Sequence, residues 1–253
     1  MSLAGLSVVV TRPAGTGDAL AAQLDAMGAA VLQFPAIVIE PLPLQATAAD
    51  IIANLDTFDL VICVSPSAAA QLFAVRPQPW PEGLAAAAVG PGTAAALRGQ
   101  GIKQIIEPTE GAGAEPLLAV PALANLQGRR VLIAAGADGR EVLEDALRAR
   151  GADLTVLPLY RRVPPPDGQR LFDWLGRHPD AALLVTSVAA LDHLTGLATG
   201  ANRERLLNTQ LVVPSPRVVK KAEISGYRRL VQAADASDAA LIAALEQWRP
   251  EHP

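Results

Sequence analysis

Residues 158–166 read PLYRRVPPP, and the organisation of the whole chain turns on this stretch. It follows a β-like run, Leu154–Leu157, and ends in three consecutive prolines, Pro164–Pro166. Proline fixes φ and has no N–H, so Pro164–Pro166 continue neither a central strand nor a helix, and a Pro-rich segment of this kind acts as a stiff, extended spacer. Residues 35–43, PAIVIEPLP, echo it: they follow the β-like run Val31–Phe34 and end in alternating prolines. Two stiff crossings of similar length predict two bodies joined by a pair of strands. Tyr160, one of only two tyrosines in the chain, lies in the second crossing.

Outward from the crossings the chain repeats itself. Val8–Thr11 is an apolar run, Leu20, Leu24 and Met27 recur at helical spacing, Gly28 stops that helix, and Val31–Phe34 is a second strand. This is a βαβ unit. Displaced by 123 residues, the pattern returns as Val131–Ala134, Glu141–Arg150, Gly151 and Leu154–Leu157. Val8/Val131, Leu20/Leu143, Leu24/Leu147, Ala26/Ala149, Gly28/Gly151, Ala29/Ala152 and Pro35/Pro158 are identical pairs. Helix-stop glycines and strand-end prolines that match together mark an internal duplication. The intervening segments repeat as well. Leu60–Val64 followed by Ser65-Pro66-Ser67 answers Leu183–Thr186 followed by Ser187. Ala85–Val89 followed by Gly90–Arg98 answers Leu211–Val213 followed by Pro214–Glu223. Each block closes on a short strand (Lys103–Ile106; Arg229–Val231) and an Ala/Leu-rich helix (Ala114–Leu126; Asp238–Trp248).

The order is therefore A-B-A′-B′, with A a βαβ unit and B the longer block. Strands alternating with helices predict α/β architecture: two three-layer α/β/α domains, each with a parallel five-stranded sheet. Periodicity leaves open whether each A pairs with its neighbour or with the more distant B. Asn125–Arg129 is a polar loop of ordinary length, whereas the proline-bounded stretches are long enough to bridge bodies, which favours the interleaved pairing. The domains then comprise residues 1–35 with 163–253, and residues 36–162.

Of the 253 residues, 51% are hydrophobic and only 4% aromatic, so Ala, Val and Leu must build cores that fold without disulfides or metals. The lone Cys63 sits in LVICV, cannot form an intramolecular bridge, and has no basic neighbours; it reads as core filler in a reducing, cytoplasmic protein. Met1–Thr11 lacks a positively charged start and reads as a first strand rather than a signal peptide. No run approaches the roughly 18 apolar residues a membrane helix needs. A net charge of −4 provides no overall basic field for nucleic acid, so an anionic ligand must be caught by local groups. A monomer is expected.

In parallel sheets, ligands bind at the carboxyl ends of strands, where helices begin and present free N–H groups. The chain puts polar and glycine residues at these positions: Thr11-Arg12, Ser65 and Ser67, Gly90, Gly92 and Thr93, Gly136, Asp138 and Gly139, Ser187, and Ser215 with Arg217. Any one Ser or Thr there also serves as a helix N-cap. Together, with few acids among them, they describe two rims suited to an anion. Gly90-Pro91-Gly92-Thr93-Ala94-Ala95 matches a dinucleotide-binding pattern, but Pro91 removes a backbone N–H from the loop that would hold pyrophosphate. His178, His193 and His252 show no ligand spacing, so no metal site is expected. The usual catalytic constellations are missing, which leaves binding shape, backbone donors and one phenol. A non-catalytic two-domain protein closing on a small anion would carry the same rims.

Taken together, VVVTRP at the start, CVSPSA, VGPGTAAAL, VLPLYRRV and LLVTSVAA resemble the uroporphyrinogen-III synthase family in order and spacing over essentially the whole chain. The resemblance implies the interleaved pairing and a two-stranded ladder between the domains, about which they would close on substrate. It also implies a reaction without cofactor, in which the linear tetrapyrrole hydroxymethylbilane loses its terminal hydroxyl as water and closes into a ring with its last pyrrole inverted. Tyr160 occupies the place of the tyrosine most often given the catalytic role. A phenol keeps its proton at neutral pH and can donate it to the departing hydroxyl. Arg12, Ser65, Ser67, Thr93 and Ser187 stand where the family has matching or similar polar residues, and Gly90 and Gly136 join them as substrate-binding candidates. One departure is Pro214-Ser215-Pro216-Arg217, where the family often carries Gly and Thr; Arg217 would add a charge able to grip a substrate carboxylate.

Overall fold

The computed structural model describes residues 2–138 and 141–248, without the side chain of residue 141. The first repeat folds as β1 (Ser7–Val10), α1 (Asp18–Ala26) and β2 (Ala30–Gln33). Gly28 ends α1 by taking a φ of 89°, a left-handed conformation that costs side-chain-bearing residues more. The N–H groups of Gly28 and Ala29 then return to the carbonyls of Asp25 and Leu24, at 2.8 and 3.1 Å, and satisfy the helix end. Next come β3 (Val38–Pro41), α2 (Ala46–Ala53), β4 (Leu60–Cys63), α3 (Pro66–Val75), β5 (Ala85–Ala88), α4 (Pro91–Gly99), β6 (Ile105–Ile106) and α5 (Ala114–Leu118).

The second copy of the βαβ unit is β7 (Arg130–Gly136), α6 (Glu141–Ala149) and β8 (Asp153–Val163). Its helix ends in the same way. Gly151 has a φ of 87°, and Gly151 and Ala152 donate to Arg148 and Leu147 at 2.9 and 3.2 Å. The chain finishes with α7 (Gln169–Arg177), β9 (Ala182–Leu184), α8 (Val188–Leu197), α9 (Gly200–Asn208), β10 (Gln210–Val213), α10 (Pro216–Ser225), β11 (Leu230–Gln232) and α11 (Asp238–Trp248). Helices α2, α7 and α9 lie outside the repeat pattern read from the sequence. The single helix expected over Ala114–Leu126 is instead α5 followed by a 3-10 turn at Pro121–Leu123. Pro121 has no N–H to continue the helical ladder.

Two units result, one of residues 1–38 with 163–253 and the other of residues 39–162. Ala36 belongs with the first because its N–H bonds the Thr11 carbonyl at 3.0 Å and its own carbonyl meets His193 Nδ1 at 2.8 Å. The sheet of the first unit runs β11-β10-β9-β1-β2, and that of the second β3-β8-β7-β4-β5-β6. Reading β4, β5 and β6 as the counterparts of β9, β10 and β11, and β7 and β8 as those of β1 and β2, gives one order in both sheets. The pairs among these strands are parallel. The second sheet has six strands rather than five because β3 is added beside β8. Leu42 N–H donates to Leu159 O at 2.9 Å while Arg161 pairs with Glu40, contacts that run in opposite senses, as in an antiparallel pair.

Strand periodicity explains the layering of the second unit. Val61, Cys63, Ala86, Ala88, Leu132 and Ala134 pack with Ala68, Leu72, Ala94 and Leu97 of α3 and α4. Their alternates Leu60, Ile62, Ala87, Val131 and Ile133 pack with Leu117 of α5 and Leu143 and Leu147 of α6. Both faces are apolar, which is why these strands read as unbroken hydrophobic runs. In the first unit Val8, Val10, Ala182, Leu184 and Val212 meet Leu20 and Leu24 of α1 and Leu241 and Leu245 of α11. Each fully buried leucine contributes about 1.5–3 kcal/mol by leaving water.

Strand β8 does not stop at Pro158, as the proline pattern leads one to expect. It runs on to Val163, and the pairing with β7 slips there: Ala135 faces Pro158 but Gly136 faces Tyr160. Leu159 is the extra residue of a bulge, the setting in which a strand tolerates proline. Because side chains alternate, one extra residue transfers everything beyond it to the other face. Tyr160 therefore sits on the α3 side of the sheet, with Leu132 and Ala134, instead of the α6 side.

Candidate active site

The carboxyl end of the second sheet is built from four strand ends. After β4, Ser65 takes an extended conformation and caps α3, its Oγ accepting the Ala68 N–H at 3.0 Å; Pro66 follows at the first helical position, where a missing N–H costs nothing. Ser67 lies half-buried in that first turn. After β5, Gly90 precedes α4, and a Cβ there would stand 2.7 Å from the Ala112 side chain, so only glycine fits. Thr93 is buried one turn on. At the end of β7, Gly136 makes room for a ring: a Cβ would lie 2.9 Å from Cε2 and Cζ of Tyr160 and 3.2 Å from its hydroxyl.

Tyr160 itself is fully buried, at 0% exposure. Its hydroxyl stands 2.8 Å from Ser65 Oγ, and Arg162 Nη2 donates to it at 3.4 Å. The Arg162 guanidinium also lies 5.9 Å from the ring centroid, within range of attraction to the π face. Arg162 reaches the phenol because residues two apart on a strand share a face. Arg161, on the opposite face, makes a two-point ion pair with Glu40 at 2.8 and 3.0 Å, and that pairing holds the Glu40 carboxyl below its ordinary value.

Above these residues is a pocket of about 420 Å³ whose walls include Val64, Val89, Ile133, Gly136, Tyr160 and Arg162. Tyr160 lines it from beneath, since no part of the ring is open to water. Glu115, Asp138 and Glu144 also line it, and Arg148 offsets Glu144 at 3.3 Å. The wall is thus richer in carboxylates than the anion-attracting rim expected from the strand-end residues alone. It suits N–H donors and cationic carbon better than further carboxylates.

Five of the candidate ligand residues, Ser65, Ser67, Gly90, Thr93 and Gly136, fall in this unit with Tyr160. The other four fall in the first unit. Arg12 is held there by Asp238 Oδ1 and by the Ala236 carbonyl, both at 2.6 Å, so its charge is already answered. Ser187 caps α8 through the Ala190 N–H at 3.1 Å. Ser215 precedes α10 with its carbonyl accepting from Val218 and Val219 at 3.0 Å, and Arg217 in the first turn is exposed. The sequence pattern singled out neither Arg162 nor Glu115 and Glu144. The strand period was the signal for Arg162; the acids lie on separate segments and gave none.

Cys63, His178 and His193 sit in structural surroundings. Burial pushes the Cys63 thiol up to about 12, which keeps it protonated at neutral pH. His178 bonds Ser7 Oγ at 2.9 Å and lies 4.2 Å from the Trp174 ring, and His193 holds the Ala36 carbonyl. His252 lies outside the described residues. Among the described residues no cluster of His, Cys, Asp and Glu is arranged to hold a metal ion. No described helix is long and apolar enough to cross a membrane.

Duplicated α/β topology, with polar residues at the carboxyl ends of parallel strands and a buried phenol beneath a pocket, defines a doubly wound ligand-binding protein with one candidate acid. Comparison with known proteins narrows this. The family model described as uroporphyrinogen-III synthase HemD matches residues 18–243. The chain is 33% identical over 248 residues to the uroporphyrinogen-III synthase of Escherichia coli, spanning 95% of this chain and 100% of that one. It is 34% identical over 247 residues to the Salmonella typhimurium protein of the same name, with 95% and 100% covered. The fold matches the solved uroporphyrinogen-III synthetase of Helicobacter pylori with a TM-score of 0.64 at 15% identity, covering 96% of this chain and 100% of that one. A mutant uroporphyrinogen III synthase of Thermus thermophilus matches with a TM-score of 0.56 at 21% identity, covering 96% and 98%. The chain belongs to the uroporphyrinogen-III synthase family.

Proposed function

We propose that the chain is a uroporphyrinogen-III synthase that closes hydroxymethylbilane to uroporphyrinogen III, with Tyr160 as its acid. The observation that carries the role of Tyr160 is its hydroxyl, set beneath a strand-end pocket and bonded to Ser65 and Arg162. In the first step the phenol O–H gives its proton to the terminal hydroxyl of the substrate. The C–O bond breaks, its electron pair leaves with the oxygen as water, and the pyrrole nitrogen lone pair relieves the electron-poor carbon as an azafulvene cation. The phenolate left behind accepts hydrogen bonds. The substituted carbon of the last pyrrole supplies the electron pair that bonds it to the cationic carbon, the spiro product rearranges, and loss of a ring-carbon proton restores both aromatic pyrrole and phenol. The net change is substrate to macrocycle plus water.

For the protein's part, orientation matters more than acid strength, because the linear substrate closes unaided to the type I isomer. Holding the terminal pyrrole against the correct carbon has a potential worth of about 7–11 kcal/mol in favourable cases. The carboxylates of Asp138 and Glu115 suit pyrrole N–H groups and the passing cation. Substrate carboxylates find better partners in helix N-termini such as that of α4. Arg12 serves only if it gives up Asp238. The same reading includes a cytoplasmic monomer without a nucleic-acid partner, supported by the net charge of −4 and the unpaired, buried Cys63. A purely binding role finds no support in relatives named as synthases along their full length.

The test is to supply hydroxymethylbilane, oxidise the products and separate type III from type I porphyrin. Type III in excess is expected; type I alone, at the uncatalysed rate, overturns the reading.

A further inference from the structure

The hydrogen bonds around Tyr160 constrain where its proton points, and they give Ser65 a part other than substrate binding. A phenol oxygen has one proton to donate and lone pairs to accept with. Arg162 can only donate, so its 3.4 Å contact uses one accepting position. The bond to Ser65, at 2.8 Å, can run either way. If Tyr160 donates, its proton is engaged by Ser65 and is not available to a leaving group. If Ser65 donates, both accepting positions of the phenol are filled and its own proton is left for the pocket. Ser65 Oγ is itself fixed by accepting the Ala68 N–H at 3.0 Å, on a residue held extended at the start of α3. The bulge in β8 is what delivers Tyr160 to that capping residue.

We propose that Ser65 is a positioning residue for the reaction. Its N-capping bond fixes Oγ so that its O–H is donated to Tyr160, which directs the phenol proton into the pocket and leaves a phenolate that accepts from Ser65 and Arg162 together. The chain of donors is Ala68 N–H to Ser65 Oγ, Ser65 O–H to Tyr160 Oη, and Tyr160 O–H to the departing oxygen. When the C–O bond breaks, the phenol proton leaves with the water, and the proton lost at ring closure returns to the phenolate; Ser65 keeps its own proton throughout. This inference rests on Tyr160 being the acid.

Two substitutions separate capping from donation. Ser65→Thr keeps both, whereas Ser65→Asp caps the helix well but, ionised, can only accept. Type III formation from hydroxymethylbilane is followed at saturating and limiting substrate, with thermal midpoints recorded in parallel. The Thr variant is expected to keep kcat within about threefold, and the Asp variant to lose about tenfold or more in kcat with little change in KM and a midpoint near that of Thr. With Tyr160→Phe already present, Ser65→Asp should cost nothing further, because its effect runs through the phenol. Equal kcat for Asp and Thr, a loss carried by KM, or losses that multiply with Tyr160→Phe would each overturn the proposal. If Tyr160→Phe alone leaves kcat intact, the acid reading fails first; if it lowers kcat but Asp behaves as Thr, only the role of Ser65 fails. Should the Asp variant not fold, Ser65→Ala, which loses the donor, is read in the same cycle with Tyr160→Phe.

Discussion

Replacing Tyr160 by Phe removes one oxygen and leaves the ring in place, so the cost to the fold can be worked out separately from the cost to the reaction. The oxygen lost bonds Ser65 at 2.8 Å and Arg162 at 3.4 Å. Ser65 keeps the bond it accepts from Ala68 and, being only half-buried, can turn its O–H to water, and Arg162 is exposed and can do the same, so neither is left as an orphan. No cavity forms beneath Gly136, because the ring atoms that fill that space remain. The stability loss is then that of one neutral hydrogen bond, about 0.5–1.5 kcal/mol, a few degrees in melting temperature. Loss of a general acid lowers kcat by about 10²–10⁴, equivalent to roughly 3–5.5 kcal/mol in the barrier. The second effect exceeds the first, and the two are read by different instruments: thermal unfolding for one, the ratio of type III to type I porphyrin over time for the other. A Tyr160→Phe protein that melts a few degrees lower but turns over within about threefold of the parent would refute the argument and leave Tyr160 a core residue with a satisfied hydroxyl.

Gly136→Ala should damage the same site sterically. Its Cβ would meet the Tyr160 ring at 2.9 Å, so we expect a loss of about 1–3 kcal/mol in thermal unfolding together with reduced type III formation. Alkaline stability should begin to fall near pH 9 and fall more steeply above 10. The Cys63 thiol is raised from 9.0 to about 12 and the Tyr227 phenol from 10.0 to about 12, both first by burial, so each contribution is complete below the lower value and is lost as pH rises to the upper one. Denaturation midpoints followed from pH 8 upward should show Cys63→Ala removing the part that begins near 9, at most about 4 kcal/mol, and Tyr227→Phe the part that begins near 10. On the acid side, Glu40 is lowered by its bond to Arg161, so the pair supports the fold above the ordinary 4.5 and that support is lost as pH falls through the lowered value. The difference in unfolding midpoint between the parent and Glu40→Gln should therefore be seen at pH 6 and vanish at strongly acid pH; a difference that persists there would show the carboxylate is not its cause.

Local chemistry carries a long way in this chain. The paired glycines Gly28 and Gly151 declare two helix ends, and both adopt left-handed φ with the same two capping bonds. Helix α6 spans residues 123 beyond those of α1, as the repeat requires, and the strands it joins are legible because burial on both faces demands unbroken apolar runs. Ser65 and Ser187 cap their helices as residues of their kind do at strand ends. Such features depend on neighbours within a few positions, so the sequence contains them.

What lies beyond that range needed the fold. The pairing of β1 with β9, and of β4 with β7, rests on hydrogen bonds between segments far apart in sequence, and the repeat is compatible with either arrangement. The six-stranded sheet arises only because β3 finds β8. Most consequential is one residue of slippage opposite Gly136. A strand has a period of two, so a single bulge reverses which face every later side chain meets, and no propensity records which way that falls. By that reversal Tyr160, with Arg162 on the same face, comes to Ser65, and a residue that composition marks only as scarce comes to line a pocket.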